Sequence, residues 1–324
     1  IPEENIVITL THKGYIKRLP ASTYRTQKRG GRGIQGMGTN EDDFVEHLVS
    51  TSTHDTVLFF TNMGKVYKAK GYEIPEFSRT AKGIPIINML QVEPGEWVNA
   101  VISVNEYKED TFFIFTTRNG LTKRTSLSKF ANIRKGGLIA LGLRDGDELI
   151  SVKLTDGTKD IMIATKHGYL IRFEETQIRA MGRTASGVRG ITLREDDEVV
   201  SMEILEEGAS ILHVTSKGFG KQTDESEYRR INRGGKGVFT CKLNEKTGHV
   251  VAVKAVTGEE DLMLITIAGV LIRIPVAGIS STGRSAMGVH LIRLNDNEEV
   301  ATVAKIEPEP EEEESSSNEE KGDL

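Results

Sequence analysis

The strongest constraint on this chain is that it repeats itself six times. A Thr-x-x-Gly segment flanked by apolar runs occurs at Thr11 to Gly14, Thr61 to Gly64, Thr117 to Gly120, Thr165 to Gly168, Thr215 to Gly218 and Thr266 to Gly269. The glycines lie 50, 56, 48, 50 and 51 residues apart. A second glycine follows each at a near-fixed distance: Gly33, Gly83, Gly137, Gly187, Gly237 and Gly288, with separations of 19, 19, 17, 19, 19 and 19. A length of 324 residues would by itself point to two domains. A period this regular overrides that prior and requires one repeat architecture.

Each repeat holds four strand-like runs. In the second they are Thr56–Thr61, Lys65–Lys70, residues 84–90 and Val98–Val104, short and mostly rich in β-branched or aromatic residues. The Thr-x-x-Gly turn suits a hairpin whose glycine is left-handed. A lone hairpin is marginal in water, and a four-stranded blade must still bury its faces. Stacking six blades radially leaves only short, protected edges. No long stretch shows the 3.6-residue apolar period, and residues 22–24, 70–74 and 125–130 have room for a single helical turn each. The reading is all-β: a six-bladed, propeller-like disc of four-stranded blades, as a flat ring or a shallow spiral. It spans 5–306, with repeats at 5–54, 55–109, 110–158, 159–208, 209–259 and 260–306. Trp97 is expected in the core or between blades.

The net charge of −5 hides two opposite parts. From Glu307 to the end the chain has nine acidic residues and one Lys, a net of −8, which leaves 41 basic and 38 acidic residues, a net of +3, in the body. The segment 307–324 has one apolar residue, Leu324, and is expected to be a disordered acidic tail. The single cysteine, Cys241, excludes an internal disulfide and fits a reducing cytosol. No apolar run approaches the ~18 residues of a membrane helix, so no membrane partner is expected. The first residue is Ile1 rather than Met, so the sequence reads as a fragment or a processed product.

Registered on the second glycine, the repeats show where the cations fall. Five of the six carry an arginine four residues before it: Arg29, Arg79, Arg183, Arg233 and Arg284. The third, two residues shorter, offers Arg134 and Lys135. Lys82 and Lys236 stand directly before their glycines. Equivalent positions in equivalent blades occupy equivalent parts of a disc, so these cations should line one rim. The richest loop is Gln27, Lys28, Arg29, Gly30, Gly31, Arg32 and Gly33. Alone it reads first as a solvated basic turn. In register it is one of a set, and Asn232 to Gly237 is its nearest copy. A second basic set lies four residues after the first glycine: Arg18, Lys68, Arg124, Arg172 and Arg273, with Lys221 beside Gln222 in the fifth repeat. These are secondary candidates, since a strand-end cation often only blunts an edge.

An arc of arginines on a disc suits bent double-stranded DNA better than a small molecule. Counterion release drives DNA onto a basic surface, and about six neutralised phosphates give a slope of about −5 in log K against log salt. Nothing looks like a base-reading helix, so sequence specificity is expected to be weak. Other chemistry is not legible. The seven histidines are scattered without ligand spacing, one cysteine makes no zinc site, and no glycine loop leads into Gly-Lys-Ser/Thr and a helix. The carboxylates at 41–43 and 195–198 read as solvated turns. No catalytic residue, metal or cofactor is expected. A propeller scaffold for an acidic protein is the alternative from another class.

At Gln27 to Gly33 the sequence resembles the signature box of the C-terminal domain of the bacterial DNA gyrase A protein. The preceding Ile6-Val7-Ile8-Thr9-Leu10-Thr11-His12-Lys13-Gly14, the following Glu41-Asp42-Asp43-Phe44-Val45, the further blades and the acidic tail extend the likeness over nearly the whole chain. The related topoisomerase IV protein has similar blades with a degenerate or missing box, so the intact box favours gyrase. The resemblance implies a β-pinwheel, in which blades exchange a strand with their neighbours. It implies a domain that wraps DNA so that ATP-driven strand passage introduces negative supercoils, with the box needed for the wrap. Partners would be DNA, the rest of the gyrase A protein and the ATP-hydrolysing gyrase B protein, in an A2B2 enzyme of the bacterial cytoplasm and chromosome, the isolated domain being monomeric. The cleaving tyrosine, magnesium and ATP would belong to other parts of that enzyme. The acidic run after Glu307 would compete with DNA for the rim.

Overall fold

A computed structural model describes residues 1–23 and 43–308. The box at 27–33 and the residues from 309 onward lie outside the described residues. Six antiparallel sheets follow one another along the chain. In the first, the order from one edge to the other is Val45–Ser52, Asn5–Thr11, Tyr15–Pro20 and Ile84–Pro85. The last of these belongs to the second repeat. The same exchange recurs: Leu138–Ile139 completes the second sheet, Val188–Arg189 the third, Val238–Phe239 the fourth and Val289–His290 the fifth. The sixth has three described strands, Leu271–Pro275, Asp261–Thr266 and Val300–Ile306. The fold is therefore a six-bladed β-propeller with strand exchange, as the repeats and the resemblance led us to expect.

The Thr-x-x-Gly signature has a local cause. Each turn glycine has positive φ, from 74° at Gly64 to 92° at Gly120, and its N–H donates to the threonine carbonyl, as in Gly14 N to Thr11 O at 2.9 Å. A side-chain-free residue adopts that conformation without strain. The threonine hydroxyl then accepts the N–H after the glycine, for example Tyr15 N to Thr11 Oγ1 at 3.1 Å and Phe219 N to Thr215 Oγ1 at 3.1 Å. In the second repeat Thr61 instead donates to Glu96, at 2.6 Å. The second glycine answers a packing demand. At Gly187 a Cβ would come within 2.3 Å of the Thr122 carbonyl oxygen of the preceding blade, and at Gly83 within 2.4 Å of that of Ile16.

Two expectations shift. The run 84–90 is a strand only at Ile84–Pro85, then a short 3-10 turn at Ile86–Asn88. Pro85 has no N–H for a ladder, and the Ile86 N–H already donates to Gly14 O, at 2.8 Å. Trp97 is 53% exposed rather than packed in the core. Two of the acidic turns also do more than face water. Asp43 and Asp197 accept the N–H groups of Lys13 and His167 inside the hairpin turns, at 3.0 and 2.9 Å, and Asp43 is buried.

The core lies between blades. Phe60, Phe113, Phe115 and Phe130 form one aromatic cluster joining the second and third blades, Phe60 and Phe113 meeting edge to face at 4.9 Å. Comparable clusters join the other neighbours. Phe44, from the first repeat, packs with Met263, Ile265 and Ala304 of the sixth, and Val45–Ser52 lies beside Val300–Ile306. The first and last blades thus touch, and the disc closes.

Candidate nucleic-acid interface

The strands nearest the disc centre are those that touch their equivalents in both neighbours, such as Leu149–Thr155 between Val98–Val104 and Val199–Leu205. At the opposite edge of the first five sheets sits the two-residue exchanged strand, with the basic loop just before it. The five described loops that the sequence singled out therefore lie along the outer rim. Arg79, Lys82, Arg183, Arg233 and Arg284 are half-buried there, and Arg134, Lys135 and Lys236 are exposed.

The rim arginines are oriented by backbone groups. Arg183, Arg233 and Arg284 each donate Nη1 to the carbonyl of the second residue of an exchanged strand, those of Ile139, Arg189 and Phe239, at 3.4, 2.7 and 2.7 Å. A guanidinium has five N–H donors, so one such bond fixes the plane and leaves donors for an anion. The loops are also held from behind. Arg233 N donates to Gln177 Oε1 at 2.7 Å, and Arg284 N to Glu227 Oε1 at 3.0 Å. Gln177 and Glu227 end the equivalent 3-10 turns Glu175–Gln177 and Glu225–Glu227.

Most of the second basic set has a different job. Arg172 has its side chain 14% exposed and bonds Asp160 at 2.8 Å and Glu225 at 2.7 Å. Its Nη1 also donates to the carbonyls of Glu225 and Tyr228. Arg124 meets Glu175 at 3.4 Å and lies over the Phe112 ring. Arg18 donates Nε to Ile74 O at 2.6 Å. Gln222, at the equivalent position, donates to the Val276 and Ile279 carbonyls. These side chains tie each blade to the 3-10 turn region of the next repeat. Lys221 is 1% exposed and donates to three carbonyls, so it is not a surface cation. Arg273 pairs with Asp261 at 2.8 Å and is half exposed. Lys68 is exposed.

Two further rim cations lie outside the two basic sets, Arg194 having a counterpart only in Arg144 of the third repeat. Arg189 is exposed on its exchanged strand, where the equivalents are Pro85, Ile139, Phe239 and His290. Arg194 stacks over Tyr169 at 3.5 Å and donates Nη1 to Lys236 O at 2.8 Å. Only position in the fold brings them beside the loops. Among the described residues no three His, Cys, Asp or Glu side chains are grouped to hold a metal, and no helix is long and apolar enough to cross a membrane.

Comparison with known proteins places this geometry. The chain is 64% identical to the DNA gyrase A protein of Halalkalibacterium halodurans over 324 residues, all of this chain and 39% of the relative. It is 54% identical to the DNA gyrase A protein of Staphylococcus aureus over 314 residues, 96% of this chain and 35% of the relative. The chain thus spans less than two fifths of the length of those relatives. Two solved structures share the fold. The C-terminal domain of DNA topoisomerase IV matches with a TM-score of 0.82 at 25% identity, covering 95% of this chain and 94% of the other. A DNA gyrase A C-terminal domain matches with a TM-score of 0.70 at 28% identity, covering 94% and 100%. The family model described as the DNA gyrase C-terminal domain, beta-propeller, matches residues 5–52, 55–105, 111–156, 159–206, 209–257 and 260–307, one segment per blade, and the chain belongs to that family.

Proposed function

We propose that this chain binds double-stranded DNA without sequence specificity and wraps it around the rim, as the wrapping domain of a DNA gyrase. The observation that carries the reading is the recurrence of an arginine at the same rim position in successive blades: Arg79, Arg183, Arg233 and Arg284, the last three oriented by backbone carbonyls, with Arg134 and Lys135 in the shorter third loop. Arg, with a planar fork of donors, meets phosphate oxygens better than a point charge. Bending 20–30 base pairs costs on the order of 1–6 kcal/mol, which several charge-assisted contacts per helical turn offset. Lys82 and Lys236 add charge beside the arginines, and the box residues Gln27 to Gly33 extend the set by sequence. The repeats at 5–306 form the wrapping unit, and 307–324 act as an acidic tail competing for the rim.

In the parent enzyme the wrap presents a nearby DNA segment for ATP-driven passage, which introduces negative supercoils. The rest of the gyrase A protein and the ATP-hydrolysing gyrase B protein supply cleavage, magnesium and ATP chemistry, in an A2B2 assembly on the bacterial chromosome in the cytoplasm. The higher TM-score to a topoisomerase IV domain favours that enzyme as the second reading. The intact Gln-Lys-Arg-Gly-Gly-Arg-Gly box and the identity to gyrase A proteins weigh against it. Nicked circular DNA, bound by the chain and then ligated, tests the reading. A wrap shifts the linking number distribution in proportion to bound protein. An unchanged distribution at low salt would rule it out and leave the scaffold alternative.

A further inference from the structure

The blades alternate in what lies beneath the rim loops. The residue three positions after the turn glycine is Lys17, Lys123 and Lys221 in the odd blades, and Tyr67, Ile171 and Ile272 in the even ones. The three lysines are at most 1% exposed, yet none ends on a carboxylate. Lys17 Nζ donates to the carbonyls of Ser78, Arg79 and Ala81 at 2.9, 2.8 and 2.8 Å. Lys123 Nζ donates to those of Gly182, Arg183 and Ala140 at 3.1, 2.7 and 2.5 Å. Lys221 Nζ donates to those of Gly283, Arg284 and Thr240 at 3.1, 2.7 and 2.6 Å. Each ammonium thus grips the backbone of the rim arginine itself and of the residue before it, in the next repeat.

The loops alternate to match. Those gripped by lysine read Arg-Thr-Ala, Arg-Thr-Ala and Arg-Ser-Ala at Arg79, Arg183 and Arg284. The described loops resting on Tyr67 and Ile171 lack that Arg-Thr/Ser-Ala run: the first is two residues shorter, with Gly136 directly before the shared Gly137, and the second has Gly234-Gly235 where the gripped loops have Thr-Ala or Ser-Ala. A Cβ at Gly137 would lie 2.7 Å from the Tyr67 ring. Gly234 has a φ of 86°, a conformation closed to Thr or Ser at the same position. The lysine and the Arg-Thr/Ser-Ala loop are therefore one device, and the bulky side chain with a shorter or glycine-bearing loop is another. Burial pulls the ammonium groups down, Lys123 to about 7 and Lys17 and Lys221 to about 8. A buried charge needs such a set of acceptors to be tolerated.

We infer that Lys17, Lys123 and Lys221 are positioning residues for DNA, each fixing the backbone from which Arg79, Arg183 or Arg284 reaches a phosphate, so that the rim is built as three two-blade units. The inference rests on the DNA reading above. It is tested in the full 324-residue chain by a cycle of Lys123→Met, Arg183→Ala and the double variant, measuring duplex affinity from about 50 to 200 mM salt. Lys17→Met and Lys221→Met, paired with Arg79→Ala and Arg284→Ala, repeat it in the other units, and thermal melts identify the folded variants. Thr184→Gly with Ala185→Gly loosens the same contact from the loop side with the lysine in place.

Lys123→Met and the glycine variant are expected to lower affinity about threefold to eightfold, the size of a phosphate contact weakened or lost. The double variant should bind no worse than Arg183→Ala alone, and amide exchange should quicken at 182–186. Two results overturn the inference: folded lysine variants that bind like the unmodified chain, or losses that multiply in the double variant, as general destabilisation would produce. If Arg183→Ala itself leaves binding unchanged, along with Arg79→Ala and Arg284→Ala, the fault lies in the DNA reading instead.

Discussion

Replacing Arg172 by Met separates cations that hold blades together from cations that face a ligand. The guanidinium spans two blades, bonding Asp160 in its own sheet and Glu225 of the next repeat, with its side chain 14% exposed. Removing one partner of a buried ion pair costs about 3–5 kcal/mol, because the other charge is left uncompensated. Arg230 remains on Asp160 at 2.9 Å, and Met keeps most of the packed stem, which points to the lower end, about 3 kcal/mol. With an unfolding entropy of about 2.1 cal/mol/K per residue, a repeat domain of about 300 residues shifts by about 1.6 °C per kcal/mol, so the melting temperature should fall by about 5 °C.

Arg183→Ala is the matched control. Its side chain makes an exposed hydrogen bond of 3.4 Å, so its stability should change by no more than about 0.5 kcal/mol. Its duplex affinity should drop up to about eightfold at 0.1 M salt, with the salt slope shallower by about 0.9. Scanning calorimetry and fluorescence anisotropy on the two variants read both axes. If Arg172→Met melts with the unmodified chain while losing affinity and salt slope, Arg172 is a phosphate contact and the division of the two basic sets fails.

Neutralising Lys28, Arg29 and Arg32 together should reduce the linking-number shift more than neutralising the equivalent cations of any other single loop, since no other repeat carries cations at all three of the positions five, four and one before its second glycine. A triple variant compared with Arg233→Ala/Lys236→Ala in the nicking and ligation assay checks this. Acid should act through His213, which is buried, hydrogen-bonded to Thr240 Oγ1 at 2.9 Å and pushed down to about 3 by burial and by Lys221. An unfolded chain protonates this ring near 6.5 while the folded one does not, so its contribution is complete above 6.5 and is lost progressively as pH falls toward 3. Between about pH 7 and 5 the unmodified chain should lose roughly 2 kcal/mol more than His213→Leu in urea melts, and parallel losses would contradict the assignment.

The blade count was legible because hairpin geometry writes itself into spacing. A threonine and a left-handed glycine recur wherever the same turn recurs, and the second glycine recurs wherever an exchanged strand presses on a carbonyl of the preceding blade, as at Gly187 against Thr122. The extent of that strand was less legible. A β-branched run looks alike whether it stays in one ladder or leaves it after two residues, and Pro85 was the one local sign. Trp97 misled because a large aromatic side chain is usually buried, whereas here it is the backbone that is engaged, its N–H donating to Asn62 Oδ1 at 2.8 Å. Arg189 left no periodic trace and Arg194 only a single counterpart, Arg144, so tertiary position rather than register brings them to the rim.

The two basic sets are equally periodic, so periodicity by itself could not rank them. Repeat register establishes that positions are equivalent; it does not establish that they are exposed. What divides the sets is strand exchange. Because each described rim loop comes from one repeat and rests on the sheet of the previous one, the second long strand of a blade is placed to grip the next repeat, as it does in the first, third, fourth and fifth blades. Its cations are used for that grip: Arg18 on Ile74, Arg124 on Glu175, Arg172 on Glu225. The loop cations, on the far side of the same contact, are left to face outward. The interface that closes the disc and the surface offered to a polyanion are thus opposite faces of one set of loops. A substitution at the grip should therefore register first in stability and only then in binding, whereas one at the loop should register in binding alone.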